Sequence, residues 1–148
     1  MQNIQIMESE IYSALRQESK SYPHKETSTE NAAGFSAATN DYLERGIDLN
    51  EQLIRNKPTT YFFRMKGDAM REAGIFEGDV LIVDKSVPVN NGKIIVAVLN
   101  GEMLVRRFHK NFSSAFLIPE NTRFKTINLG DFSDFSVWGV VTYVIHSV

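Results

Sequence analysis

The 148-residue sequence contains no cysteine. Disulfides and thiolate catalysis are therefore both excluded, and the composition fits a reducing cytosol. A basic excess is missing too: 16 Lys and Arg stand against 18 Asp and Glu, for a net charge of −2. That balance argues against a dedicated nucleic-acid binder. No apolar run is long enough to span a bilayer. The opening Met1-Gln2-Asn3-Ile4 has no basic flank and no small-residue cleavage site, so neither a secretory signal nor a membrane anchor is expected. Histidine is scarce. His24, His109 and His146 stand apart without metal-ligand spacing, so no metal and no cofactor is expected. There is no glycine-rich phosphate loop and no GxSxG elbow. A Ser-His-Asp triad, which assembles from distant residues, has no local support. Internal repeats and low-complexity tracts are absent as well.

What is present divides into three zones. Ile4, Met7, Ile11 and Leu15 recur at helical spacing and predict one amphipathic helix within residues 1–22. It can pack on its own domain, the commoner case, or dock on a partner. From Pro23 to Ala38 the chain is a polar, aperiodic linker, with Lys25 to Asn31 its most exposed part. Ala32-Ala33-Gly34-Phe35 follows, where small side chains would let an extended backbone enter a narrow cleft. A plain linker is the simpler reading of that stretch taken alone. Residues 1–38 are thus read as an N-terminal arm and 39–148 as one β-rich domain, a size that can bury its own core.

In the second part, Asp41 to Arg55 predicts a short helix or turn. Strands are predicted at Tyr61–Met65, Asp79–Val83, Lys93–Leu99, Met103–Arg107, Ala115–Ile118 and Val137–Ile145, bounded by Gly, Pro and Asn turns. The Asn100-Gly101 dipeptide makes the pair on either side of it a hairpin. Asp79 and Asp84 read as turn caps. The basic run Arg106-Arg107-Phe108-His109-Lys110 reads as a solvated strand edge rather than a nucleic-acid contact.

Several segments together carry a family resemblance. They are Thr60 to Met70, Gly74 to Asp84, Asn91 to Ala97, Gly101 to Phe108, Leu117-Ile118-Pro119-Glu120-Asn121 and Trp138-Gly139-Val140-Val141. This set resembles the LexA/UmuD family of SOS-response autopeptidases, relatives in chemistry of signal peptidase. Ala33-Gly34-Phe35 and Asp41 to Asn50 are similar to UmuD in particular. The resemblance implies a mainly β domain of bent antiparallel sheets forming a cleft, with a short, partly helical arm. It also implies a Ser-Lys dyad that cuts the chain's own linker, here at Ala33–Gly34, with backbone N–H groups of residues 68 and 69 stabilising the oxyanion.

Both dyad positions depart from the family. In Gly67-Asp68-Ala69-Met70 the serine position is Ala69, which has no atom able to attack a carbonyl. The lysine position is Arg106, whose guanidinium is effectively never deprotonated. Loss of such groups costs several orders of magnitude in rate. The departures fit natural decay or deliberate substitution, and the second change favours decay. A substitute pair, Arg107 or Lys66 with Ser86, is the remaining route to an active serine peptidase.

By resemblance the chain is a UmuD-like accessory subunit of a Y-family, UmuC-like translesion polymerase. It would be a cytoplasmic homodimer that responds to RecA filaments on single-stranded DNA, makes no sequence-specific DNA contact, and is unable to cut itself. A LexA-like repressor fragment is the alternative. Only about thirty residues precede Ala33, which leaves little room for a helix-turn-helix head. An interaction module outside DNA repair is a third reading.

Overall fold

The computed structural model describes residues 46–148 together with a two-residue strand at 12–13. Asp48 starts a short helix, α1 (Leu49–Leu53), by accepting hydrogen bonds from the N–H groups of Asn50 and Glu51. Eight strands make up the rest: β1 (Tyr12–Ser13), β2 (Thr60–Arg64), β3 (Val80–Asp84), β4 (Ile94–Leu99), β5 (Glu102–Lys110), β6 (Ala115–Ile118), β7 (Ile127–Asn128) and β8 (Phe135–Ile145). They form one sheet in the order β1-β2-β3-β8-β4-β5-β6-β7, and every neighbouring pair is antiparallel. The chain is therefore mainly β, as its alternating, β-branched segments predict.

The last strand sits in the middle. β8 pairs with β3 on one side and β4 on the other, and the register shifts once on each side, at Ile82/Val83 and at Val96/Ala97. Such irregularities bend and twist a strand, which lets one sheet curl around two apolar clusters. Phe63, Met70, Leu81, Val96 and Val105 belong to the first cluster. Ile95, Leu99, Leu104, Leu117 and Val140 belong to the second. Neighbours along β4 and β5 alternate between the two, because successive side chains point to opposite faces. The unbroken apolar run Ile94 to Leu99 follows from this, since both faces of β4 are covered.

The Asn100-Gly101 turn joins β4 to β5 with positive φ at both residues, 49° and 81°. This is the backbone that a two-residue hairpin favours. Trp138 of β8 stacks edge-on against Tyr61 and Phe63 of β2, with ring centroids 4.9 and 4.7 Å apart, and Lys85 lies 4.5 Å over its ring.

One expectation is overturned. Tyr12 and Ser13 fall inside the stretch predicted as helix, yet they are extended and pair with Phe62 and Tyr61. Without them the outer edge of β2 would carry unpaired N–H and C=O groups, and pairing there outweighs a sparse helical stripe. The rest of that stretch, the linker and the Ala33–Gly34 bond lie outside the described residues.

At Gly139 β8 lies close against the end of β3. A Cβ at this position would stand 2.7 Å from Val83 Cγ1 and 3.5 Å from the Asp84 carbonyl oxygen. Gly139→Ala is expected to destabilise the domain by about 1–3 kcal/mol through overpacking. Urea unfolding checks this, and an unchanged midpoint would show that the two strands have slack.

Candidate functional site

The Gly67–Met70 turn hangs between β2 and β3. Met65 N–H donates to the Asp79 carbonyl and Gly78 N–H donates to the Met65 carbonyl, both at 2.8 Å, which closes the base of the loop. Gly67 has φ of 76°, a left-handed backbone suited to glycine. Beyond the turn, one 3-10 turn at Arg71–Ala73 ends on Gly74, φ 80°. The loop thus folds back, and Ala69 and Met70 are buried at 1% and 0% exposure.

A second segment clamps this turn. After β6, Glu120 N–H donates to the Ala69 carbonyl at 2.9 Å, and Asn121 Nδ2 donates to the Asp68 carbonyl at 2.8 Å. Glu72 N–H returns the contact by donating to the Glu120 carbonyl at 2.8 Å. Glu120 and Asn121 belong to the segments that carry the family resemblance, but their clamping role has no signature in the sequence. It depends on a contact between positions 53 residues apart.

Arg106 arrives from β5, opposite Ile95 of β4. Its guanidinium carbon lies 5.6 Å from the centre of the Phe124 ring. Phe124 N–H in turn donates to the Asn121 carbonyl. The 120–124 segment therefore meets Ala69 through Glu120 and Arg106 through Phe124. Arg106 is 3% exposed. Burial pushes its pKa down to about 10, so it stays cationic at neutral pH and has no lone pair to act as a base. Ala69 offers only a methyl group. An open cavity of about 500 Å³ adjoins the turn, lined by Asp68, Arg71, Glu72, Phe76, Asn121 and Arg123.

The basic run is not an edge. β5 lies between β4 and β6, Arg106 is buried, and Arg107 is half-buried with Nε on Glu120 Oε1 and Nη1 on the Gly92 carbonyl. His109 and Lys110 alone are exposed. The substitute nucleophile is misplaced as well. Ser86 follows the Asp84 end of β3, whereas the loop carrying the 67–70 turn enters β3 at its Val80 end. Its hydroxyl donates to Asp84 Oδ1 at 2.7 Å and accepts from Asn56 Nδ2 at 3.1 Å.

Asp79 and Asp84 do cap turns, but as buried groups, at 3% and 4% exposure. Asp79 accepts from Phe76 N–H at 2.8 Å and pairs with His146 Nδ1 at 2.6 Å. That histidine looks isolated in the sequence. The pairing of Val80 with Ile145 brings it to Asp79. No group of His, Asp and Glu able to hold a metal occurs among the described residues, and none of their helices is long and apolar enough to cross a membrane.

Residues 27–142 match the family described as Peptidase S24-like. Protein SamA of Salmonella typhimurium is 37% identical over 114 residues, covering 77% of this chain and 79% of that protein. Protein MucA of Escherichia coli is 34% identical over 113 residues, covering 76% and 77%. The LexA repressor of Bordetella avium is 35% identical over 116 residues, covering 78% of this chain and 54% of the repressor. The chain belongs to the LexA/UmuD family of Peptidase S24-like proteins.

Burial works against the Asp84 carboxylate, but hydrogen bonds from the Ser86 side chain and backbone, Thr59 and Asn56 hold its pKa below the ordinary 3.8. A depressed folded-state pKa adds stability above 3.8 that is lost as pH falls through the folded value. Asp84→Asn should therefore be less stable than the parent at neutral pH and lose less on acidification. Thermal melts across that range check it, and parallel curves for the two proteins would refute it.

Proposed function

We propose that this chain is a UmuD-like SOS-response protein, an accessory subunit of a Y-family translesion polymerase, in a form that does not cut itself. The observation that carries the reading is the pair at the dyad positions: a buried methyl at Ala69 and a buried, cationic guanidinium at Arg106. A serine would need a neutral base beside it. Here neither group is present, while the turn and its clamp are intact. The cleft then binds the Ala33–Gly34 segment without cleaving it. In an active relative the N–H groups at positions 68 and 69 would meet the oxyanion; here they would meet an uncut carbonyl.

In this reading residues 1–38 are the arm and 39–148 the body. The working form is a cytoplasmic homodimer that meets a UmuC-like polymerase subunit and the RecA filament. Similarity to SamA and MucA over more than three quarters of each protein supports this assignment. The similarity to a LexA repressor supports a repressor-like alternative, and co-purification with a Y-family polymerase subunit separates the two.

The chain is expected to keep its full mass after incubation with RecA, ATP and single-stranded DNA, and after long incubation at mildly alkaline pH. Ala69→Ser alone should remain uncut, because Arg106 cannot take the proton. Ala69→Ser with Arg106→Lys should release a fragment beginning at Gly34. Mass spectrometry reads all three, and such a fragment from the unaltered chain would sink the non-cleaving assignment.

A further inference from the structure

The pair Asn-Gly occurs at Asn91-Gly92 and again at Asn100-Gly101. Both pairs are exposed, and both glycines have positive φ, 85° and 81°. Asparagine before glycine carries a chemistry of its own. The glycine nitrogen lies within reach of the asparagine side-chain amide carbon, and with no Cβ on the glycine nothing screens the approach. The two pairs are alike in sequence. Their hydrogen bonds set them apart.

At Asn91 every reacting group is tied to β5. Nδ2 donates to the Lys110 carbonyl at 2.8 Å, and Oδ1 accepts from Lys110 N–H at 2.7 Å. Gly92 N–H donates to the Phe108 carbonyl at 2.9 Å. Asn100 differs. Its own N–H donates to the Asp134 carbonyl at 2.9 Å, which holds the turn in place without engaging the groups that react. Neither the Asn100 side-chain amide nor the Gly101 N–H has a hydrogen-bond partner among the described residues.

We infer that Asn100 is a site of spontaneous modification, where the chain loses ammonia and rearranges through a succinimide, and that its ties to β5 protect Asn91 from the same reaction. The Gly101 nitrogen gives its proton to hydroxide and attacks Asn100 Cγ. The Cγ–Nδ2 bond breaks, and Nδ2 leaves as ammonia after taking a proton from water. Water then opens the five-membered ring at one of its two carbonyls, leaving aspartate or isoaspartate at position 100. Only water is consumed. Either product adds a negative charge, and isoaspartate also adds a methylene to the main chain. A two-residue hairpin loop has no slack for it. The Leu99–Glu102 pair that closes β4 on β5 then opens. Leu99 is 1% exposed and belongs to the second apolar cluster, so a lesion in an exposed turn reaches the core.

Long incubation of the full-length chain at mildly alkaline pH, followed by peptide mapping with electron-transfer fragmentation, tests this. Each hydrogen bond that must open first slows the reaction by a factor of about 5, so three of them should set Asn91 behind Asn100 by on the order of 100-fold. In urea the two sites should react at similar rates, because the unfolded chain keeps neither turn. The inference is overturned if Asn91 converts as fast as Asn100 in the folded protein, or if the same difference persists in urea. It is overturned too if Asn100 converts no faster than Asn111, which precedes the bulky Phe112. Asn100→Gly keeps a residue suited to positive φ and should remove most of the ammonia that the folded chain releases; release at the parent rate would count against the site. In the isolated isoaspartyl form the Glu102 amide should exchange its hydrogen faster than in the parent, and equal protection would show that the hairpin stays closed. The reaction cuts no peptide bond, so a fragment beginning at Gly34 bears only on the non-cleaving assignment.

Discussion

The site exists because β8 is inserted between β3 and β4. Without that strand the sheet would be two pieces, β1-β2-β3 and β4-β5-β6-β7. Ala69 hangs from the first piece and Arg106 stands on the second. The insertion depends on close contact at Gly139, where even one methyl would meet Val83, and on Trp138 against Tyr61 and Phe63. Dense packing of this kind fixes relative positions because cores resist small displacements.

A second layer of constraint refines the first. Sheet pairing brings the two pieces together, but the 120–124 segment joins the turn to the cation. Its bonds to the Asp68 and Ala69 carbonyls are backbone-level contacts that do not depend on the side chain at position 69. The fold of the turn is therefore independent of the side chain at position 69. What changes is the electrostatics. A buried lysine can lose its proton when desolvated, whereas a buried arginine stays charged even with its pKa lowered to about 10. Arg106 is thus a fixed positive charge in a poorly solvated place.

Much of the body was legible in the residues. β6 falls at Ala115–Ile118 as predicted, the other predicted strands differ from the observed ones by a few residues at their ends, and the Asn100-Gly101 hairpin has the expected backbone. These features are local, set by side-chain period and turn chemistry. The misreadings are of another kind. Tyr12 and Ser13 fall within the helical stripe of Ile4, Met7, Ile11 and Leu15 but lie on a strand edge, because the edge of β2 supplies backbone partners that no local pattern reveals. The Arg106 run looks like a solvated edge, because its burial is decided by β6 on its far side. His146 looks solitary, because Asp79 is 67 residues away.

By itself the sequence determined the family, the antiparallel β class and the identities of residues 69 and 106. Each of these is a matter of residue identity or short-range period. Only the tertiary structure decided that β8 lies at the centre, that Glu120 and Asn121 clamp the turn, and that Arg106 is buried with an Nε that has no acceptor among the described residues. Burial and pairing are sums over contacts between distant segments, and a residue's own identity carries neither.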